Sequence, residues 1–237
     1  MSGEALISSI ATADRGVGRD VSTTVGGRSR AAIVAVAPLV LLAAFVAHPY
    51  IGLGQPDETA VEEAAASSPF RWGISHLAVG IASALLLLAF LAIRGYLRQA
   101  GDERWSARAL PFVIVGGTLY AILPGMEFAA LAAAETGADV RAAQAAVEPW
   151  FVPVIATSGV ASAIGIAGFA RGVSSVGPGR LGVPKFVVVA LGAMAVTRII
   201  PLTVVQFYGQ SVATLIALGP LAYAMWRHPT AIRSERG

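Results

Sequence analysis

The chain has 237 residues, 56% of them hydrophobic and only 13% charged, with a mean hydropathy of +0.70. Soluble domains carry about a quarter charged residues, so this composition excludes an ordinary one and points to the lipid bilayer as the chain's surroundings. The lack of cysteine excludes disulfides, thiolate metal sites and cysteine nucleophiles; the +3 formal charge, almost all arginine, is scattered between apolar runs and forms no nucleic-acid-binding stripe.

Residues 1–30 are polar, glycine-containing and without an apolar period, and read as a tail. Six apolar runs follow, at roughly 31–48, 73–93, 109–134, 150–170, 186–208 and 211–226. Most approach the ~20 residues that a spanning helix needs. Hydrocarbon offers the backbone no partners, so each run is expected to pair its own polar groups as an α-helix. The expected fold is all-α, a bundle of six transmembrane helices over 31–226 with a second tail at 227–237. The first run follows a long polar stretch, and Phe45-Val46-Ala47 lacks the small residue that leader cleavage requires, so it reads as a retained helix. The acidic, alanine-rich stretch GQPDETAVEEAAASSPFRW after it is expected to form a short helix on the membrane surface. A second loop, ETGADVRAAQAAVEPW, has similar composition.

Orientation follows from the basic residues. With the N-terminus inside, Arg15, Arg19, Arg28, Arg30, Arg94, Arg98, Arg104, Arg108, Arg171, Arg180, Lys185, Arg227, Arg233 and Arg236 all lie on the inner side, against Arg71 and Arg141 outside. Both termini are then cytoplasmic. Trp72, Trp150 and Tyr208 fall at outer boundaries and Trp105 and Trp226 at inner ones, where interfacial aromatic anchors belong. The alanine-, valine- and arginine-rich style suggests a bacterial plasma membrane. No repeat relates the first three runs to the last three, so an inverted-repeat transporter has no direct support.

Inside the runs, ionisable side chains are few: Glu127 in the third, Arg198 in the fifth, and His48 and His76 near the outer ends of the first and second. A charge at mid-membrane costs at least ~2.5–3.5 kcal/mol on insertion scales and ordinarily faces a partner inside the bundle. Glu127 precedes Glu135 by eight residues and Arg198 precedes Tyr208 by ten, which puts them ~12 and ~15 Å below the outer boundary. The matching depths predict an ion pair. Pro124 and Pro201 are expected to kink the two helices and free the carbonyls of Tyr120 and Thr197, as beside a polar, hydrated cavity. Gln206 and Thr203 extend the polar face outward; Thr157, Ser158 and Ser162 offer hydroxyls from the fourth run.

His48 and His76 admit two readings. They are interfacial residues bonded to loop backbone, or they are ligands: an axial pair for haem, a metal set with Glu127, or an acid–base pair. Glycines in GVASAIGIAGFARG and LGAMA permit close helix contact, and GVGRD and SVGPGRLG lack the setting of a phosphate loop. The leading functional expectation is a bilayer protein binding a small or lipophilic ligand in an outward-opening polar pocket. Arg198 would recognise an anionic group beside Tyr120, Thr203 and Gln206, and Glu127 with His76 and His48 would supply acid–base chemistry if the protein is an enzyme. A small or proton-coupled carrier is the second expectation. The third is an accessory subunit whose exposed helix faces pack on a larger membrane complex, with Glu127 and Arg198 meeting as a structural lock that faces no cavity. The expected partners are a lipid bilayer and a homo-oligomer or such a complex. No metal or cofactor is assigned.

Overall fold

A computed structural model describes residues 26–49, 52–54 and 58–228. All regular structure among them is helical: α1 (Gly26–Ala47), α2 (Glu58–Ser67), α3 (Pro69–Gln99), α4 (Trp105–Met126), α5 (Phe128–Thr136), α6 (Val140–Val176), α7 (Phe186–Thr197) and α8 (Gln210–Arg227). A 3₁₀ turn, Pro178–Leu181, joins α6 to α7, and a π-turn, Val205–Gly209, leads into α8. Four segments are long and apolar enough to cross a membrane: α1, α3, α6 and the nearly continuous pair α4–α5. Leu39, Ile81, Val160 and Val189 are exposed on outward faces. Helices apolar on outward as well as inward faces suit lipid surroundings.

A short helix, α2, does form after the first run, where one was expected. The second loop is instead largely absorbed into α6, which starts at Val140. Gly137 ends α5 at a φ of 70°, in the left-handed region that favours glycine. The Asp139 carboxylate then accepts from Ala142 N at 3.0 Å, an N-cap that lets the helix begin early. α1 begins at Gly26, inside the stretch read as a tail; residues 1–25 and 229–237 lie outside the described residues.

The fifth apolar run is divided. α7 stops at Thr197 after 12 residues. Pro201 has no N–H to continue the ladder and disfavours helical geometry at Ile200, so the kink expected there is a break. The freed backbone finds partners in the α1–α2 connection: Thr203 N and Val204 N donate to the carbonyls of Gly54 and Leu53 at 3.0 and 3.2 Å. The Thr203 hydroxyl donates to the Gly54 carbonyl as well, at 2.5 Å. The sixth run forms the 18-residue α8, which is not among the four apolar candidates.

One core joins α1, α3, α4, α6, α7 and α8, with Leu41, Phe45, Phe90, Phe169, Met194 and Leu218 fully or almost fully buried. The Phe90 and Phe169 rings meet edge to face at 4.9 Å. α4 and α6 make the most extensive contact, and glycines let their backbones touch. A Cβ on Gly116 would stand 2.6 Å from Ser162 N, and one on Gly165 2.7 Å from Val113 N. The Ser158 hydroxyl donates to the Gly116 carbonyl at 2.8 Å across the same contact. Gly192, in LGAMA, meets nothing within 4 Å and does not provide the close approach expected of it.

Asp102 starts α4. Its carboxylate accepts from Trp105 N and Ser106 N at 2.9 and 2.8 Å and from Arg104 N at 3.3 Å. Burial pushes this carboxyl up, but the N–H donors outweigh it and hold it below the ordinary carboxylate range. Gly172 of α6 leaves the carboxylate its room, since a Cβ there would come 2.6 Å from Asp102 Oδ2.

Two predictions follow from this packing. Gly116→Ala and Gly165→Ala each lower stability by ~1–3 kcal/mol in thermal unfolding of the detergent-purified protein. Gly192→Ala is neutral or slightly stabilising through its better helix propensity, and equal behaviour of all three would contradict the contact. Asp102→Ala costs ~1–2 kcal/mol at neutral pH. Because the folded value is depressed, the carboxylate's contribution is complete above the unfolded pKa of ~3.9 and is lost as pH falls through the folded value. Wild type and variant therefore converge in stability only in strong acid, and a constant difference at all pH would refute the charged cap.

Candidate functional site

Arg198 is the residue at which α7 ends. It lies ~18 Å along the bundle from Phe186. A cation there meets the carbonyl end of the helix, where its charge is favoured. The guanidinium lies over the Tyr120 ring, 4.6 Å from the centroid. Hydrogen bonding orients the Gln210 carboxamide so that its nitrogen donates to the Gln206 carbonyl at 3.2 Å. Its oxygen then accepts from Arg198 Nη1 and Nη2 at 3.2 and 3.1 Å. Arg198 Nε is buried and has no partner among the described residues. Gly159 of α6 lets the end of α7 rest on it, for a Cβ there would come 2.6 Å from the Arg198 carbonyl oxygen.

A cavity of about 20 Å³ lies beside the guanidinium. It has room for about one water-sized molecule. Leu86, Phe90, Val113 and Ile166 make most of its wall apolar, and Tyr120, Ser83 and Ser162 are its polar members besides Arg198. The Ser83 hydroxyl is already spent on the Val79 carbonyl, at 2.8 Å.

Glu127 is elsewhere, and the expected ion pair with Arg198 is not formed. Glu127 Oε2 accepts from Gln144 Nε2 at 2.9 Å, and its carbonyl accepts from Trp72 Nε1 at 3.2 Å. The one ion pair among the described residues is exposed and joins Arg141 Nε to Glu62 at 2.6 Å. The reason is depth. Arg198 lies over Tyr120, and Glu127 is seven residues farther along the same helix, ~10 Å beyond it. Depths counted from the far ends of the apolar runs assumed one straight helix over 186–208, and the break after Thr197 removes that assumption.

His48 and His76 do meet, with ring centroids 4.8 Å apart. Each Nδ1 sits 2.7 Å from a backbone carbonyl oxygen, that of Pro49 for His48 and that of Trp72 for His76. A carbonyl only accepts, so each Nδ1 carries a proton, and in its neutral form each ring keeps its lone pair on Nε2. Trp72 packs on both rings, at 5.2 and 4.5 Å, and Phe207 on His48 at 5.0 Å. A haem ligated by both rings would have to separate them. They are in direct contact and enclosed by Trp72 and Phe207, so the axial-pair reading does not fit. Among the described residues no group of three or more His, Cys, Asp or Glu is placed to hold a metal ion. Arg71 Nε and Nη2 donate to the Ala47 carbonyl at 3.2 and 3.1 Å and fix the end of α1 beside His48.

The expected site residues thus divide. Arg198 and Tyr120 come together, joined by the backbone carbonyl of Gln206; Thr203 is spent on Gly54 in the stretch beyond them. His48 and His76 form a second cluster, linked to Glu127 through Trp72. Trp72 is not the interfacial anchor expected of it, being buried, whereas Trp150 is exposed as an anchor should be. Gln210, Gln144 and the role of Trp72 were not anticipated. Gln210 lies one residue before the sixth apolar run, and an amide in the middle of the greasy stretch VVQFYGQSVATL was the available signal. No protein-family model, curated protein or solved structure matches the chain.

The separation of Glu127 from Arg198 is testable by a double-mutant cycle. The stability effects of Glu127→Gln and Arg198→Gln are expected to add within ~0.5 kcal/mol, as for distant sites. A coupling above ~1 kcal/mol would restore the ion pair.

Proposed function

We propose that the protein is a multi-pass membrane protein of a bacterial plasma membrane that binds the anionic group of a small or lipophilic ligand at Arg198. One observation carries this reading: a guanidinium whose Nε is buried without a partner, beside a cavity and out of ion-pair reach of any described carboxylate. Burying an ionised group costs several kcal/mol unless it is paired. Gln210 and Tyr120 offer a dipole and a ring face but no opposite charge. An anion entering the cavity gains a charge-assisted hydrogen bond that neither can supply.

In this reading all six apolar runs cross the bilayer. The fifth crossing combines α7 with the segment as far as Gly209, α8 is the sixth, and the arginine distribution puts both termini in the cytoplasm. Arg198 then sits near the middle of a hydrocarbon layer ~30 Å thick. Non-helical backbone at that depth is tolerated where it is buried in protein or lines a cavity, which suits the break after Thr197. The ligand enters from the outer side along the stretch holding Thr203 and Gln206. His48 and His76, each with an Nε2 lone pair, stand with Glu127 on that side as proton acceptors.

The break in α7 favours one second reading, a small carrier, because discontinuous helices form the substrate sites of many secondary transporters. An accessory-subunit role drew on an ion pair that does not form, and is not favoured.

The test is anion-dependent thermal unfolding of the purified protein with chloride, acetate and decanoate at fixed ionic strength. At tenfold excess over Kd, one of them is expected to raise the wild-type midpoint by roughly 3–6 °C. The same anion should leave Arg198→Gln unmoved. No shift with any anion, or equal shifts in both proteins, would contradict the proposal, and uptake of the stabilising anion into proteoliposomes would select the carrier.

A further inference from the structure

At the opposite end of the bundle from His48, α3, α4 and α6 stop together around a groove of about 400 Å³. Arg104, Trp105 and Arg180 line it, with Ser175 and the backbone of Ala100 and Gly101. The guanidinia of Arg104 and Arg171 lie over the Trp105 indole, 5.2 and 5.4 Å from its ring centroid. Arg94 Nη1 donates to the Asp102 carbonyl at 3.4 Å. Two arginines, Arg104 at the start of α4 and Arg171 of α6, thus lie on one tryptophan, Arg180 of the 3₁₀ turn lines the groove with it, and Arg94 of α3 is held at Asp102.

The carboxylates of the groove are Asp102 and Glu103. Asp102 is committed to the first turn of α4, where both its oxygens accept backbone N–H bonds. Glu103 is exposed, and neither carboxylate pairs with these arginines. Arg104 and Arg180 alone balance the two carboxylates of the lining. Arg94 and Arg171, in contact with Asp102 and Trp105, leave positive charge in excess around the groove, presented by guanidinia whose planar forks match phosphate oxygens.

The surroundings indicate what carries the phosphate. Trp105 stands where the apolar surface of α4 begins, the position of an interfacial anchor. Farther along the same bundle, Phe112, Leu91 and Ile164 are exposed, at 43%, 44% and 49%. A soluble phosphate compound would use the groove and leave those faces alone, whereas a lipid would use both. We infer that the groove is a binding site for the phosphate headgroup of an anionic phospholipid, whose acyl chains run down the apolar faces of α3, α4 and α6. The site is separate from Arg198 and does not depend on what binds there.

The experiment is native mass spectrometry of the full-length, delipidated protein titrated with phosphatidylglycerol. Three proteins are compared: wild type, Arg104→Gln/Arg180→Gln, and the control Arg98→Gln/Lys185→Gln, which removes two exposed charges at the same end but outside the groove. Wild type is expected to bind the lipid, the groove variant to bind it about thirty-fold more weakly, and the control to stay within about threefold of wild type. Glycerol 3-phosphate in large excess should not displace the lipid. Unchanged binding by the groove variant, or an equal loss by the control, overturns the inference. Displacement by glycerol 3-phosphate overturns it in favour of a soluble phosphate compound. Should the double variant lose its melting transition, Arg180→Gln alone, in the exposed 3₁₀ turn, is expected to weaken binding about fivefold, and full retention by it would also overturn the inference.

Discussion

A guanidinium held halfway along an apolar bundle is the constraint on which the rest of the arrangement depends. Arg198 can stand there because four local features meet at it. Pro201 ends α7 and so brings the carbonyl terminus of a helix to the cation. Gly159 removes the side chain that would keep this terminus off α6. The π-turn at Val205–Gly209 re-enters the bundle, and the next residue, Gln210, reaches both Nη atoms; an extra residue in a turn of this kind commonly marks a functional position. Tyr120 supplies a ring face from α4. What the protein does not supply, among its described residues, is a negative charge. That deficit turns a piece of packing into a proposal about function.

The same architecture keeps the second polar centre apart from the first. His48, His76 and Trp72 pack together where α1 ends and α3 begins, and alanines of α2 and α5 with Val140 of α6 bury Trp72. Glu127 belongs to this centre, tied through its carbonyl to Trp72 and through its carboxylate to Gln144. The Arg198 centre offers hydrogen-bond donors and positive charge, and the histidine centre offers ring nitrogens and a carboxylate.

The helices were legible because an apolar run of ~20 residues has few alternatives in hydrocarbon; 73–93 lies within α3 and 150–170 within α6. Pro201 was equally visible, but a kink and a break differ only in whether neighbouring groups satisfy the freed backbone. Gly54 and Leu53, some 150 residues away, do so. Arg198 and Tyr120, which the fold brings into contact, drew notice in the sequence because each sits one turn from a proline. Their partner was misjudged, since depth was measured along a straight helix that does not exist. Trp72 looked like an anchor because it lies at the edge of a run. Its burial depends on α2 and α5 folding over it, which no local pattern encodes. The glycines of α6 were recognised as packing residues, whereas Gly116 in α4, which they oppose, gave no periodic signal.

The most direct test of the central claim is an experimental structure of the protein purified from its native membrane, at a resolution that shows side-chain partners. The account predicts non-protein density within hydrogen-bonding distance, ~2.7–3.2 Å, of Arg198 Nε, in the cavity beside Tyr120 and Ser162. A protein carboxylate in that place, Glu127 above all, would mean that the bundle neutralises its own cation and would contradict the account.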